Sequence, residues 1–369
     1  MTGIKNWGWT LLVVMGGMVG GCDVEYGVSG DRDGVNAPDD VDGSGTTGGE
    51  NIPENVETGD VQGRICAPDG ETWVAGAVVY VDTEWGRLET ITDVDGYFKL
   101  EGVPEGAQTV EVEKGSFTTT IEVMISANEV LELASSECVG NVDIAVVTGQ
   151  YDNIQSILNR LNIPFDEFSG YWNWEEEEVS APTEHLELMR DPARMASFDI
   201  IFFNCGMEDT WTLEPDIIQN LKDYVTNGGS IYASDQAYYV LEGTFPEAAD
   251  FVGNDEEQWS ANMGTMGHVQ GEIVNGALKG VLGKDSADIN YDLDAWASIE
   301  AAGEAETLIS GTFQYMDMNS DDFSLQTNAG PLAVRHTVGD GVVLFTTFHN
   351  EPQLTEDMDN LLKEFVLSL

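Results

Sequence analysis

The stretch Asn227-Gly-Gly-Ser-Ile-Tyr-Ala-Ser-Asp235-Gln-Ala-Tyr-Tyr-Val-Leu241 decides how the rest of this chain is read. Gly228 and Gly229 are a helix stop signal, Ser230 to Ser234 make a short buried strand, and a new helix starts after Gln236. Asp235 therefore falls on a sharp strand-to-helix turn. In α/β hydrolytic folds a turn of this kind presents a nucleophile, and small side chains two residues to either side let the strained backbone fit. Ala233 and Ala237 are those flanks, and the residue between them is a carboxylate.

Working outward, Val142-Asp-Ile-Ala-Val-Val-Thr148 and Phe198-Asp-Ile-Ile-Phe-Phe-Asn204 are near-continuous apolar runs, the pattern of strands buried on both faces. Ile154, Ile157, Leu158 and Leu161 follow the first run at helical spacing, Phe165 to Phe168 reads as a further strand, and Pro215 to Val225 is an amphipathic helix. Residues 244 to about 330 are less regular, with short strands expected at Glu272 to Val274, Ile289 to Tyr291 and Thr307 to Thr312. Order returns at Gly330 to His336 and Val342 to Phe348, and a last helix runs from Thr355 to Leu367. Alternating strands and helices predict an α/β domain over residues 142–369 with a mostly parallel sheet covered on both faces. Ligands of such sheets bind beyond the carboxyl ends of the strands. Those ends gather Gly149, Asn204, Cys205, Ser234, Asp235 and His349, which are the expected pocket and catalytic positions. No G-x-G-x-x-G follows the first strand, so no dinucleotide is expected, and no other cofactor is indicated.

On three places, Phe198 to Gly206, Gly228-Gly229 up to the turn, and Phe348-His349-Asn350-Glu351, residues 142–369 resemble the class I glutamine amidotransferase-like superfamily, with a flavodoxin-like sheet. The resemblance implies that His349 is a general base and Glu351 its orienting partner, since an imidazole must be held in one tautomer to accept a proton. The family nucleophile is a cysteine at the turn, and Asp235 stands there instead. A carboxylate cannot perform the thiolate step of amide transfer, so a binding role without glutaminase activity is expected. The alternative is a hydrolase that uses Asp235 or Cys205 with His349 and Glu351. One histidine and two acids without a spacing signature give no metal expectation. His185, His268 and His336 stand apart from these motifs.

Residues 60–135 have a different pattern, short alternating runs with turn residues every 8 to 12 positions, which predicts an antiparallel β-sandwich. Thr92-Asp-Val-Asp95-Gly96-Tyr-Phe98-Lys-Leu100-Glu-Gly-Val103-Pro104-Glu-Gly106 resembles the carboxypeptidase regulatory-like domain, a non-catalytic sandwich of prealbumin-like topology used as a spacer or adhesion module. Asp93 and Asp95 lack the later bidentate glutamate of a calcium loop and are read as turn residues. Cys66 and Cys138 bracket this sandwich and are the expected disulfide, leaving Cys205 as a buried thiol.

Residues 1–21 carry one cation, Lys5, then an apolar run from Trp9 to Val19 too short to span a bilayer as a mature helix. Val19-Gly20-Gly21-Cys22 resembles a bacterial lipobox, which implies a lipidated Cys22 that anchors an exported protein to a membrane of the cell envelope. Residues 22–59 are rich in Asp, Gly, Ser and Thr and are expected to be a disordered tether. Across the chain 67 acidic residues face 14 basic ones, a net charge of -53. A field of that sign repels nucleic acid, so the expected partners are the membrane through Cys22 and an envelope protein or small ligand.

Overall fold

The computed structural model describes residues 45–49, 52–133, 137–171, 183–209, 214–253, 261–317, 320, 324–350 and 354–369. The signal segment, Cys22, the aromatic and acidic run from Trp172 to Glu178, and Glu351 lie outside the described residues.

The N-terminal part is built from β1 (Thr47–Gly48), β2 (Thr58–Cys66), β3 (Val78–Thr83), β4 (Gly86–Ile91), β5 (Tyr97–Pro104), β6 (Gly106–Lys114), β7 (Phe117–Ile125), β8 (Val130–Glu132) and β9 (Glu137–Cys138). One sheet has the order β1-β4-β3-β6-β7 and is antiparallel throughout. The other is β5-β2-β8, with β9 also parallel to β2. Alternation makes the core: Val61 and Ile65 of β2 and Phe98 and Leu100 of β5 point inward, while Gln62, Arg64 and Lys99 between them do not. The Asp93 carboxylate accepts from the backbone N–H of Asp95 and of Tyr97, and Gly96 takes the positive φ of +77° that the turn before β5 requires. A disulfide joins Cys66 to Cys138 and so fastens β9 to β2.

The segment expected to be a free tether is ordered at its end. Thr47–Gly48 pairs with β4, and β2 begins at Thr58. Low apolar content predicts poor side-chain burial, but strand pairing uses backbone groups, and the Thr46 hydroxyl also accepts from Glu101 N–H at 2.7 Å.

The remaining elements are β10 (Ile144–Val147), α1 (Ile154–Arg160), β11 (Asp166–Phe168), α2 (Glu184–Met189), α3 (Pro192–Met195), β12 (Ile200–Phe203), α4 (Pro215–Thr226), β13 (Ser230–Ser234), α5 (Tyr239–Thr244), β14 (Asp250–Phe251), β15 (Met263–Gly264), β16 (Gly267–Ile273), α6 (Gly276–Leu282), β17 (Ser286–Tyr291), β18 (Trp296–Ala297), β19 (Ile299–Ala301), β20 (Glu306–Met316), β21 (Leu325–Val338), β22 (Gly341–Thr346) and α7 (Glu356–Leu367). Eleven strands form one sheet along the path β11-β10-β12-β13-β22-β21-β20-β15-β18, with β16 on β20 and β17 on β16. The first five strands of that path are parallel to their neighbours. From β22 onward every pairing is antiparallel. The sheet is thus mixed rather than mostly parallel. The less regular region supplies the antiparallel half, where β20, β21 and β22 are neighbours in both sequence and sheet and need no crossover helix.

The inner strands β10, β12 and β13 of the parallel half are buried on both faces, whereas Asp166 and Glu167 of the edge strand β11 are exposed. Ile144, Val146, Ile200, Phe202 and Tyr232 belong to one apolar cluster, and their neighbours Ala145, Val147, Ile201, Phe203 and Ile231 belong to a second on the opposite face. The first cluster continues without a break into the sandwich residues Val61, Phe98 and Phe117. Lys114 of β6 and Glu364 of α7 pair at 2.6 Å with side chains 8% and 12% exposed. Ser116 N–H donates to the Leu369 carbonyl. The described residues belong to one compact unit, β-rich, with antiparallel and mixed sheets and few helices.

Candidate functional site

β13 runs straight into a 3-10 turn, Asp235–Tyr238, and then into α5. Asp235 has φ +46°, a left-handed conformation that a residue with a Cβ adopts at a cost of about 1–3 kcal/mol and that is concentrated at functional sites. Ala233 and Ala237 are fully buried on either side, where larger side chains would press into the cluster beneath the sheet.

The Asp235 carboxylate is almost fully enclosed, at 4% exposure. Oδ1 accepts from Ala297 N–H at 2.8 Å. Oδ2 accepts from the Cys205 thiol at 3.4 Å and lies 3.3 Å from His349 Nδ1. Cys205 follows β12 and His349 follows β22, so the ends of three adjacent strands, β12, β13 and β22, bring the three side chains together. Burial pushes the Cys205 thiol up to about 12; the charge of Asp235 acts in the same direction, and a hydrogen bond with His349 opposes both.

A second carboxylate lies behind this cluster. Asp152, 6% exposed, accepts from the Ser234 hydroxyl at 2.5 Å through Oδ2 and from Asn350 N–H at 3.1 Å through Oδ1. Ser234 Oγ in turn accepts from Cys205 N–H at 3.1 Å. Burial raises the Asp152 pKa, while the charge of His349 and the bonds from Ser234 and Asn350 pull it down. Asp152 therefore ties together the chain segments that carry Cys205, Asp235 and His349. Asn204 turns the same way, donating to the Asp152 carbonyl at 3.3 Å and to Gln155 Oε1 at 2.9 Å.

A cavity of about 390 Å³ opens over the cluster. Cys205, Asp235 and His349 line it with Tyr151, Met263, Asp292, Leu293, Asp294, Trp296, Phe348 and Met358. Trp296 stacks on Tyr291 at 4.1 Å and 18°, and its ring occupies the space over Gly264, where a Cβ would sit 1.9 Å away. The mouth of the cavity is acidic through Asp292 and Asp294, and its wall is aromatic and thioether-rich.

Of the four residues expected to line a pocket, Cys205 does so, while Gly149, Asn204 and Ser234 support the wall from behind. Gly149 is pressed against the strand ends, where a Cβ would meet the Cys205 carbonyl oxygen at 2.1 Å. The lone histidines lie apart. His185 is buried between Ser169 O and Glu208, His268 faces Asp288 on the surface, and His336 packs edge-on against Phe245. Sequence reasoning missed Asp152 and the wall formed by Tyr291 and Trp296. An acid in the turn that leaves the first parallel strand is a signal that the strand-end rule could have caught. Trp296 has no local signal, because its role depends on a glycine 32 positions away.

No family model matches the chain, nor does any curated protein. Among solved structures, a cytoplasmic protein of Salmonella typhimurium is similar at 12% identity and a TM-score of 0.39, over 62% of this chain and 97% of that one. A β-galactosidase of Rahnella is similar at 12% identity and a TM-score of 0.36; the match covers 62% of this chain and spans about a third, 32%, of the enzyme. A cohesin-X-dockerin complex of Acetivibrio cellulolyticus matches 27% of this chain and 70% of that chain, at 28% identity and a TM-score of 0.20. At these TM-scores none of the three bears on what the site does.

Proposed function

We propose that this protein is an exported, lipid-anchored component of a bacterial cell envelope, whose class I glutamine amidotransferase-like region binds a small ligand and does not hydrolyse glutamine. The observation that carries the binding reading is the state of Asp235. It occupies the strained turn from which members of that superfamily present a nucleophile, yet its Oδ1 is held by Ala297 N–H and its Oδ2 by the buried Cys205 thiol, with His349 Nδ1 3.3 Å away. The nearby thiol is no better armed, since burial and the Asp235 charge hold it protonated at neutral pH.

The order of the five parallel strands supports the family reading: numbered along the chain they lie 2-1-3-4-5, the flavodoxin-like doubly wound order. The lipobox-like Val19 to Cys22 supports the envelope reading. A hydrolase built on Cys205 or Asp235 with His349 is the second reading, favoured by the hydrogen bond between His349 and the thiol.

Glutaminase and broad ester, amide and glycoside assays on the wild type and His349→Ala, with iodoacetamide and fluorophosphonate labelling alongside, separate the two. The binding reading expects no turnover and slow labelling of Cys205. Turnover that disappears in His349→Ala would replace it with the hydrolase.

A further inference from the structure

We propose that Cys205, Asp235 and His349 form a site for one divalent metal ion of the zinc class, with its fourth coordination position open to the cavity. Metal–sulfur bonds of about 2.3 Å, metal–nitrogen bonds of about 2.0–2.1 Å and metal–oxygen bonds of about 2.0–2.2 Å give a tetrahedron whose edges are about 3.3–3.6 Å. Asp235 Oδ2 lies 3.3 Å from His349 Nδ1 and 3.4 Å from Cys205 Sγ, two edges of that size. No two of the three donor atoms are more than 4.8 Å apart.

The supporting groups suit such a site. Ala297 N–H holds Asp235 Oδ1, so Oδ2 is left as a single, oriented oxygen donor, the outer contact that metal carboxylates need. The three donors sit at the ends of adjacent strands of one sheet, and two of the links between those ends are fixed by Asp152 through Ser234 and Asn350. The donor set chooses the ion. Calcium and magnesium take oxygen ligands, whereas thiolate with imidazole selects zinc, cobalt, nickel or copper. All three side chains line the cavity, so three protein ligands leave one position for water or for a ligand entering past Asp292 and Asp294.

On binding, the Cys205 S–H bond is replaced by a sulfur–metal bond and the proton passes to solvent, one for each ion taken up. The inference goes beyond the ligand-binding reading and holds whether or not the cavity turns over a substrate. The turnover assays and the metal measurement therefore fail independently.

The test uses the full chain with Cys22→Ser throughout, so that Cys205 is the only thiol outside the Cys66–Cys138 disulfide. Metal-stripped protein is titrated with cobalt(II) in excess magnesium, which occupies exposed carboxylates. The site predicts intense visible bands of four-coordinate cobalt and a near-ultraviolet sulfur-to-cobalt band, both complete at one equivalent and both abolished by one equivalent of zinc(II). Cys205→Ser should lose the sulfur band, and His349→Ala should weaken uptake by at least about tenfold. Absence of the sulfur band in the wild type overturns the proposal, and so does a sulfur band that survives in Cys205→Ser. The wild-type spectrum decides the matter even where a variant fails to fold.

Discussion

At the scale of single residues, this protein keeps several ionisable groups away from water and accepts the pH dependence that follows. His185 is fully enclosed, with Nδ1 3.1 Å from Ser169 O and Nε2 3.3 Å from Glu208 Oε2. Burial holds its pKa below the ordinary 6.5. The unfolded chain therefore takes up a proton near pH 6.5 that the folded chain resists. The contribution of His185 to stability is complete above that value and is lost as pH falls through the lowered folded pKa. We expect the urea-unfolding free energy to decline between pH 7 and 5.5, with this residue adding at most about 1.4 kcal/mol per pH unit, and His185→Gln to flatten the decline. Asp152 works in the opposite sense. Its pKa is raised, so its contribution is present at low pH and is lost as pH rises through the raised value, and the histidine variant isolates one slope from the other. Asp235 was legible as a residue because Gly228-Gly229, a short strand and two flanking alanines all act locally. Asp152 was harder to read, because a single acid in a polar turn looks the same whether it is solvated or buried, and only its place just after the first parallel strand marks it.

At the scale of elements, a buried ion pair links the sandwich to the last helix. Lys114 on β6 and Glu364 on α7 are both nearly enclosed at 2.6 Å. Removing one partner from a buried pair leaves an uncompensated charge, so Lys114→Ala should lower the unfolding free energy by about 3–5 kcal/mol in urea titration. Lys114→Met combined with Glu364→Leu should recover most of that loss, whereas additive losses would mean that the two residues act separately. No sequence pattern indicated this pairing, because the partners are 250 residues apart. The elements themselves were easier to read. β10, β12 and β13 are short apolar runs covered on both faces, and α4 and α7 have clean apolar stripes. The antiparallel half was harder, since β20 pairs with β15, β16 and β21 along its length, and its alternation is broken by Gly311 and by register shifts between Thr307 and Ser310.

At the scale of the whole molecule, charge dominates. With 67 acids and 14 bases, few acidic side chains have a cation to face, and many of the described ion pairs, such as Arg87 with Asp82, lie on the surface where they contribute little. Self-repulsion should therefore fall as salt is added. Raising ionic strength from 0.01 M to 0.15 M shortens the screening length from about 30 Å to about 8 Å. The melting temperature should climb across that range, by about 2–4 °C for each kcal/mol of repulsion relieved. A flat or falling trend in a calorimetric salt series would show that the surface ion pairs outweigh the net charge.

The position of β22 also makes it the element on which the large sheet depends. This strand follows every other described strand in sequence, yet it lies in the middle of the large sheet, parallel to β13 on one side and antiparallel to β21 on the other. Without residues 341–346 in place, β13 presents an open apolar border, and the backbone ladder that makes the two halves one sheet is interrupted. β22 is a keystone: the arch closes, with His349 brought to Cys205 and Asp235, only when this strand is seated between its two neighbours.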